Sequence, residues 1–202
     1  MLNLVNEIFM SISFNELVRN RRSIYTKDYS GEKVDDAIVR QMLENANWAP
    51  THKLTEPWRF IVYTGEGRKK LADLQAAVYK KKTEADGTYK EERYLNLLVK
   101  PFDSSHIVLV YMKRDEKKSV PEIEEIGATF CAIQNMYLTA TDYGVGCYLS
   151  TGGVTFFEES NAAFGLAAED KILGFLHIGI PKNTNQVSRR TPVENKTTWV
   201  SN

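Results

Sequence analysis

The chain has 202 residues, 43% of them hydrophobic, enough to build a core and too apolar for a disordered chain. Its 26 basic and 26 acidic residues cancel, so no global field directs it to nucleic acid or an anionic membrane. No apolar run approaches the ~18 residues of a membrane span. Segment 1–10 lacks the cationic start of a secretory signal and carries Glu7, so the expected compartment is the cytoplasm.

Residues 13–22 read as a helix, with Ser13 at the N-cap and Glu16 at the capping-box position. Arg21, Arg22 and Ser23 follow at once. Two guanidiniums beside a hydroxyl can hold a multiply charged anion such as phosphate; arginines at a helix end also neutralise its carbonyl terminus. A second helix spans 35–48, with Ile38, Met42, Leu43 and Ala46 as its apolar stripe and Pro50 as its stop. Two prolines then restrict the loop that leads to Trp58. That loop presents Trp48 as a flat apolar face, and Thr51, His52 and Lys53 as polar contacts. Trp58 opens a strand, 58–63, as a core aromatic.

A turn at 64–67 leads to an amphipathic helix, 68–82, with a basic C-terminal end. Residues 83–105 are the least regular stretch, with a turn signal at Asp86-Gly87, and are a candidate lid. A buried strand, 107–112, precedes the longest helix, 121–142, apolar over most of its circumference from Ala128 to Ala140. Such a helix must be buried nearly all round, either centrally or against a second subunit. A short strand covers 144–149, and Ser150 to Gly153 form a tight loop whose glycines permit close backbone approach. A short helix, 156–164, and a last strand, 172–180, complete the pattern. The basic arm 182–202 carries Arg189 and Arg190 and ends on Trp199 and Val200, which should pack on something. The arrangement is α+β: one domain, 1–202, with helices around a mainly antiparallel sheet of four to five strands.

Several chemistries are disfavoured. Cys131 and Cys147 have neither metal-ligand nor disulfide spacing and read as buried thiols. His52, His106 and His177 form no paired-ligand pattern, and the latter two sit in apolar runs as satisfied core residues, so no metal is expected. Gly144-x-Gly146 precedes a strand instead of following one, which argues against a dinucleotide fold. Ser150 and His52 lack a nucleophile elbow and an acid partner.

The order of motifs is more specific than any one of them. Arg21-Arg22-Ser23, Ala49-Pro50-x-His52-Lys53 with Pro57-Trp58, a long helix containing Gln134-Asn135, Gly144-x-Gly146 before Leu149-Ser150-Thr151-Gly152, Gly174-Phe175-Leu176 and Arg190-x-Pro192 run from about residue 14 to the tail. This series resembles the nitroreductase family of FMN-dependent oxidoreductases, in particular its small members with Ala-Pro-x-His-Lys and Pro-Trp motifs. The resemblance implies an intertwined homodimer with FMN at the subunit interface. Hydride would pass from NADH or NADPH through FMN to a flat electron-poor acceptor such as a nitroaromatic or quinone, in ping-pong turnover. No protein residue would act as catalyst. Arg21, Arg22 and Ser23 would hold the phosphate end, with Arg190 reaching it late in the chain. Leu149, Ser150 and Thr151 would lie beside the isoalloxazine, and Trp48 and His52 would line the flavin, partly from the partner.

The chain departs from the family pattern in three places. Tyr25 replaces a basic residue, with Lys27 further on and Arg189 beside Arg190 as other cations; Leu54-Thr55-Glu56 replaces an Asn-x-Gln version of the second motif; and Leu149 replaces a Trp. A flavin-binding or redox-sensing module with little turnover, and a specialised enone reductase or dehalogenase on the same scaffold, remain open alternatives.

Overall fold

In the computed structural model, residues 13–183 and 187–201 are described; the 1–10 segment read above lies outside them. Four strands form one sheet in the order β1-β2-β4-β3: β1 Trp58–Thr64, β2 His106–Met112, β3 Gly146–Ser150 and β4 Lys171–Gly179. All neighbours are antiparallel, with Trp58 opposite Met112, His106 opposite Ile178 and Gly146 opposite Gly179. Among the described residues, six α-helices surround the sheet: α1 Phe14–Asn20, α2 Asp36–Ala46, α3 Gly67–Ala85, α4 Glu91–Val99, α5 Glu122–Asp142 and α6 Glu158–Ala163.

The unbroken apolar run of β2 has a simple cause: both of its faces are covered. Val108, Val110 and Met112 join Leu176 and Ile178 of β4 in a core with Met42 of α2 and Ala132, Ile133 and Met136 of α5. Ile107 and Leu109 join Phe175 on the opposite face, against Leu71, Val78 and Tyr79 of α3. His106 and His177 sit inside these layers and are satisfied there. His106 bonds Ser105 (2.9 Å) and Asp36 (3.2 Å), and His177 bonds the Ser104 hydroxyl (2.9 Å).

Local signals place the helix ends. Ser13 and Glu16 form the capping box of α1, and the Asp35 side chain accepts the Ala37 N–H at 2.8 Å to start α2. At the end of α5 the Gly144 N–H bonds the Thr141 carbonyl and the Val145 N–H bonds the Ala140 carbonyl. Gly144, at φ +67, supplies the left-handed residue that this stop requires, which accounts for the first glycine of the Gly-x-Gly pair.

Two expectations are corrected. The 83–105 stretch is not irregular: α3 runs on to Ala85 and α4 occupies 91–99. Tyr94 and Leu97 pack towards the α3 core, and the acidic start Glu91-Glu92 suits a helix N-terminus, a short amphipathic pattern that its charges obscure. Cys131 is exposed, unlike buried Cys147, because α5 buries only one face on the sheet. Its other face carries Ile123, Phe130 and Cys131, with Tyr143 just past its end, all exposed in the single chain.

Candidate functional site

The Arg21 to Ser23 turn is built onto the outer edge of β3. The Arg21 N–H caps α1 through the Leu17 carbonyl at 3.1 Å. Arg22 turns its guanidinium back onto the Arg19 and Arg21 carbonyls, where a cation suits the helix dipole. Ser23 forms a parallel bridge with Cys147, and the Ile24 N–H donates to the Cys147 carbonyl at 2.9 Å. The chain then lies across the β3–β4 pair. Tyr29 covers Gly179 so closely that a Cβ there would meet ring atoms at 2.4–2.9 Å, and its hydroxyl donates to the His177 carbonyl at 3.1 Å. Only glycine lets the ring lie flat at that point.

Tyr137 of α5 is the junction of this arrangement. The Leu149 N–H donates to its phenol oxygen at 2.7 Å, the Ser23 side chain reaches the same phenol, and the Arg21 guanidinium lies over its ring at 5.3 Å. Three predicted site residues thus converge on a residue that the motif order does not mark. A tyrosine on the buried stripe of an apolar helix was the available signal, because a buried phenol needs a polar partner. Burial raises the pKa of Tyr137, and it does the same to Tyr29 and the Cys147 thiol, so these groups stay neutral.

Position 25 has its own role. The Tyr25 ring packs on Tyr148 at 4.7 Å, Tyr148 stacks on His177 at 6.0 Å, and the Lys100 ammonium stands 5.8 Å from the Tyr148 ring. A cation therefore reaches this corner from a distant segment where Tyr25 supplies none. Burial, with Lys100 adding a smaller effect, pushes the His177 pKa down to about 3, so its imidazole is neutral.

The second predicted loop is held differently. His52 Nδ1 lies 2.5 Å from the Glu124 carboxylate, and the Lys53 ammonium donates to the Ser119 carbonyl at 2.9 Å. Lys53, Leu54 and Glu56 all have positive φ, of 52°, 54° and 42°. Non-glycine residues in that region each cost about 1–2 kcal/mol. The Thr51 hydroxyl supports the turn by accepting the Glu56 N–H at 3.2 Å. Leu54 at its tip is 79% exposed. Trp58 is a buried core aromatic whose indole donates to Asn47, as expected. Trp48 is 78% exposed and borders a groove with Phe14, Leu17, Asn135 and Tyr143.

One chain does not bring all the predicted residues together. His52 meets α5 at Glu124, whereas Arg21, Ser23 and Leu149 meet it at Tyr137. Along a helix rising about 1.5 Å per residue these points are about 20 Å apart. Ser150 ends β3, and Thr151, Gly152 and Gly153 are exposed beyond it. Arg190 bonds the Ser188 hydroxyl (2.6 Å) and the Arg189 carbonyl (2.7 Å), both within its own exposed segment. Trp199 and Val200 are exposed as well, at 90% and 85%. No group of three or more metal-ligating side chains occurs among the described residues, and no helix among them is long and apolar enough to cross a membrane.

The model of the nitroreductase family matches residues 18–180. The chain belongs to the nitroreductase family. It is 33% identical to the Bacillus subtilis (strain 168) protein YfhC, a candidate NAD(P)H nitroreductase, over 91% of this chain and 92% of that one. It is 31% identical to the Escherichia coli (strain K12) protein YdjA, also a candidate NAD(P)H nitroreductase, over 88% and 93%. Among solved structures, a nitroreductase-like protein from Bacillus cereus superposes with a TM-score of 0.82 at 29% identity, covering 95% of this chain and 97% of that one. A nitroreductase candidate from Desulfovibrio desulfuricans, solved in complex with FMN, gives 0.70 at 25% identity, covering 93% and 96%. The family match explains why the motif order spans nearly the whole chain, that of an oxidoreductase with a four-stranded α+β scaffold.

Proposed function

We propose that this protein is an FMN-dependent oxidoreductase that carries reducing equivalents from NADH or NADPH to a flat, electron-poor acceptor such as a nitroaromatic or quinone, in ping-pong turnover. The carrying observation is the junction at Tyr137, which ties the anion-binding turn (Arg21, Ser23) to the loop at the end of β3. The residues fit the cofactor. A guanidinium and an exposed hydroxyl suit a phosphate dianion, and Gly152 and Gly153 leave room beside a flat ring. When bound, FMN supplies the hydride chemistry. The chain's own part is to bind and orient: Arg21, Arg22, Ser23 and Arg190 at the phosphate, Leu149, Ser150 and Thr151 beside the ring. The candidate NAD(P)H nitroreductases at 33% and 31% identity support the choice of reductant.

The working unit is a homodimer. The site halves sit about 20 Å apart on α5, whose outer face exposes Ile123 and Phe130. A second copy with α5 antiparallel buries that face and brings the partner's Trp48 and His52 loop to this chain's Tyr137 end. The exposed arm with Arg190 and Trp199 reaches across in the same way. Residues 1–202 act as one domain, and α4, with exposed Leu95 and Val99, forms a lid beside the acceptor. The two free cysteines and the nicotinamide reductant suit a cytoplasmic enzyme.

The test is direct. Purified protein should be yellow, bleached anaerobically by NADH or NADPH, and recoloured by a nitroaromatic or quinone. A colourless protein that FMN cannot reconstitute would reject the reading. Arg21→Ala should weaken FMN binding by about 1.5–3 kcal/mol, the worth of a charge-assisted hydrogen bond.

A further inference from the structure

We propose that Tyr25 sets the acceptor class: its ring, backed by Tyr148, forms a neutral aromatic wall beside the cofactor ring that selects uncharged, electron-poor aromatics over anionic ones. The inference rests on the flavin reading above, and it concerns a position where this chain departs from a basic family pattern. The direction of the chain locates the residue. Ser23 bridges Cys147 in parallel, and the Ile24 N–H donates to the Cys147 carbonyl at 2.9 Å. The segment therefore runs with β3, towards its end at Ser150 and the loop proposed to lie beside the isoalloxazine. Tyr25 has an extended backbone (φ −73, ψ 154), so it stands about 6.6 Å beyond Ser23 in that direction. Ile24 between them is buried, whereas Ser23 is exposed and Tyr25 is 50% exposed. A hydroxyl at the phosphate end is thus followed by an aromatic ring nearer the flavin ring.

The wall is fixed from behind. The Tyr25 and Tyr148 ring centroids are 4.7 Å apart at a tilt of 49°, and Tyr148 stacks on the buried His177 at 6.0 Å. The Lys100 ammonium lies 5.8 Å from the Tyr148 ring, where cation–π attraction engages it. The outer ring, Tyr25, carries no charge of its own. A phenol ring has a negative face. That face attracts a flat ring depleted of electrons by nitro or carbonyl groups, and it repels a carboxylate. A lysine at the same position would do the reverse, holding the carboxylate as an ion pair.

The experiment uses flavin-loaded, oxidised, full-length protein. Benzamide and benzoate, a neutral and an anionic ring without a nitro group, are titrated and read by the shift in flavin absorbance. The wild type should bind benzamide more tightly. Tyr25→Lys should shift the ratio of the two Kd values towards benzoate by about fivefold, the upper range for a solvent-accessible ion pair. The ratio of kcat/KM for 4-nitrobenzamide and 4-nitrobenzoate should move the same way, and comparing variants cancels the difference in intrinsic reactivity. Tyr25→Phe, which keeps the ring, should hold both ratios within about twofold, whereas Tyr25→Leu should weaken benzamide binding by about threefold. The Leu variant is the second probe if the Lys variant folds poorly. FMN affinity, measured by fluorescence quenching, should be unchanged in all three. Tighter binding of benzoate by the wild type, or ratios that Tyr25→Lys leaves unmoved, would overturn the inference. So would loss of FMN affinity with the ratios intact, which would assign Tyr25 to the cofactor site. Wild-type protein that takes up no FMN would instead reject the flavin reading, and the inference with it, before any acceptor analogue is added.

Discussion

The two ends of α5 are held by different chemistry. At the N-terminal end Glu125, 1% exposed, pairs with Arg114 and accepts the Asp115 N–H at 3.0 Å, while Glu124 reaches His52. At the C-terminal end the junction is a neutral phenol, a buried thiol and backbone N–H groups. The charged end anchors a strained loop that carries the predicted partner-facing residues. The neutral end keeps a low-charge cradle beside cations that a phosphate would need. A buried anion at Tyr137 would compete with that ligand for Arg21, so fixing this end through dipoles alone leaves the guanidinium available.

The largest break in this contrast is expected at Arg114. Arg114→Met leaves Glu125 as a buried carboxylate without its cation and should destabilise the fold by about 3–5 kcal/mol in urea unfolding. Pairing it with Glu125→Leu should restore much of the loss, which separates an uncompensated charge from lost packing. Gly179→Ala attacks the neutral end. Its Cβ would collide with the Tyr29 ring, and an overpacked site of this kind costs about 1–3 kcal/mol. FMN affinity should fall alongside, because Tyr29 holds the 23–29 segment on the sheet.

Acid should sharpen the contrast further. The folded pKa of His177 is about 3 against an ordinary value near 6.5, so between those values the unfolded chain binds the extra proton. Stability is therefore complete above pH 6.5 and falls as pH drops towards 3, by up to about 1.4 kcal/mol per pH unit. Burial lowers His106 as well and adds in the same direction, with Asp36 opposing. In urea titrations from pH 7 to 5, His177→Gln should flatten the slope; an unchanged slope would place the acid sensitivity elsewhere. The smallest effect belongs to His52→Ala. Its pair with Glu124 is half-exposed, with side chains 54% and 42% accessible, so stability should change by under about 1 kcal/mol. Any larger change in flavin retention would come from the role proposed for the loop across the dimer interface.

Much of the fold was legible because its signals are local. Ser13 with Glu16, Asp35 and Pro50 mark helix ends through backbone chemistry that needs no tertiary context. The 106–112 and 171–179 strands stood out because burial on both faces leaves no polar alternation. The strand order did not follow from the sequence, since pairing β2 with β4 depends on contacts across 59 to 72 residues. Helix α4 was hidden because charged and apolar residues interleave over only about two and a half turns. In the site, Arg21, Ser23 and Leu149 were marked by motif order, and their convergence is geometric. Tyr137 and Lys100 escaped because each acts through a contact from a distant element. The placement of Arg22 on helix carbonyls is the ordinary reading of an arginine at a helix end, and it accompanies the anion reading instead of replacing it.

The Tyr29 ring on Gly179 also orders the folding of the molecule. Its hydroxyl bonds a carbonyl 148 residues later in the chain, and Ile24 depends on Cys147 of the strand beside it. Loop-closure entropy delays such distant contacts until local ones exist. The β3–β4 pair must therefore form before the 23–29 segment has a surface to dock on. The proposed phosphate end of the site is then a late product of folding, and a ligand that binds only the docked form draws the chain towards completion by mass action.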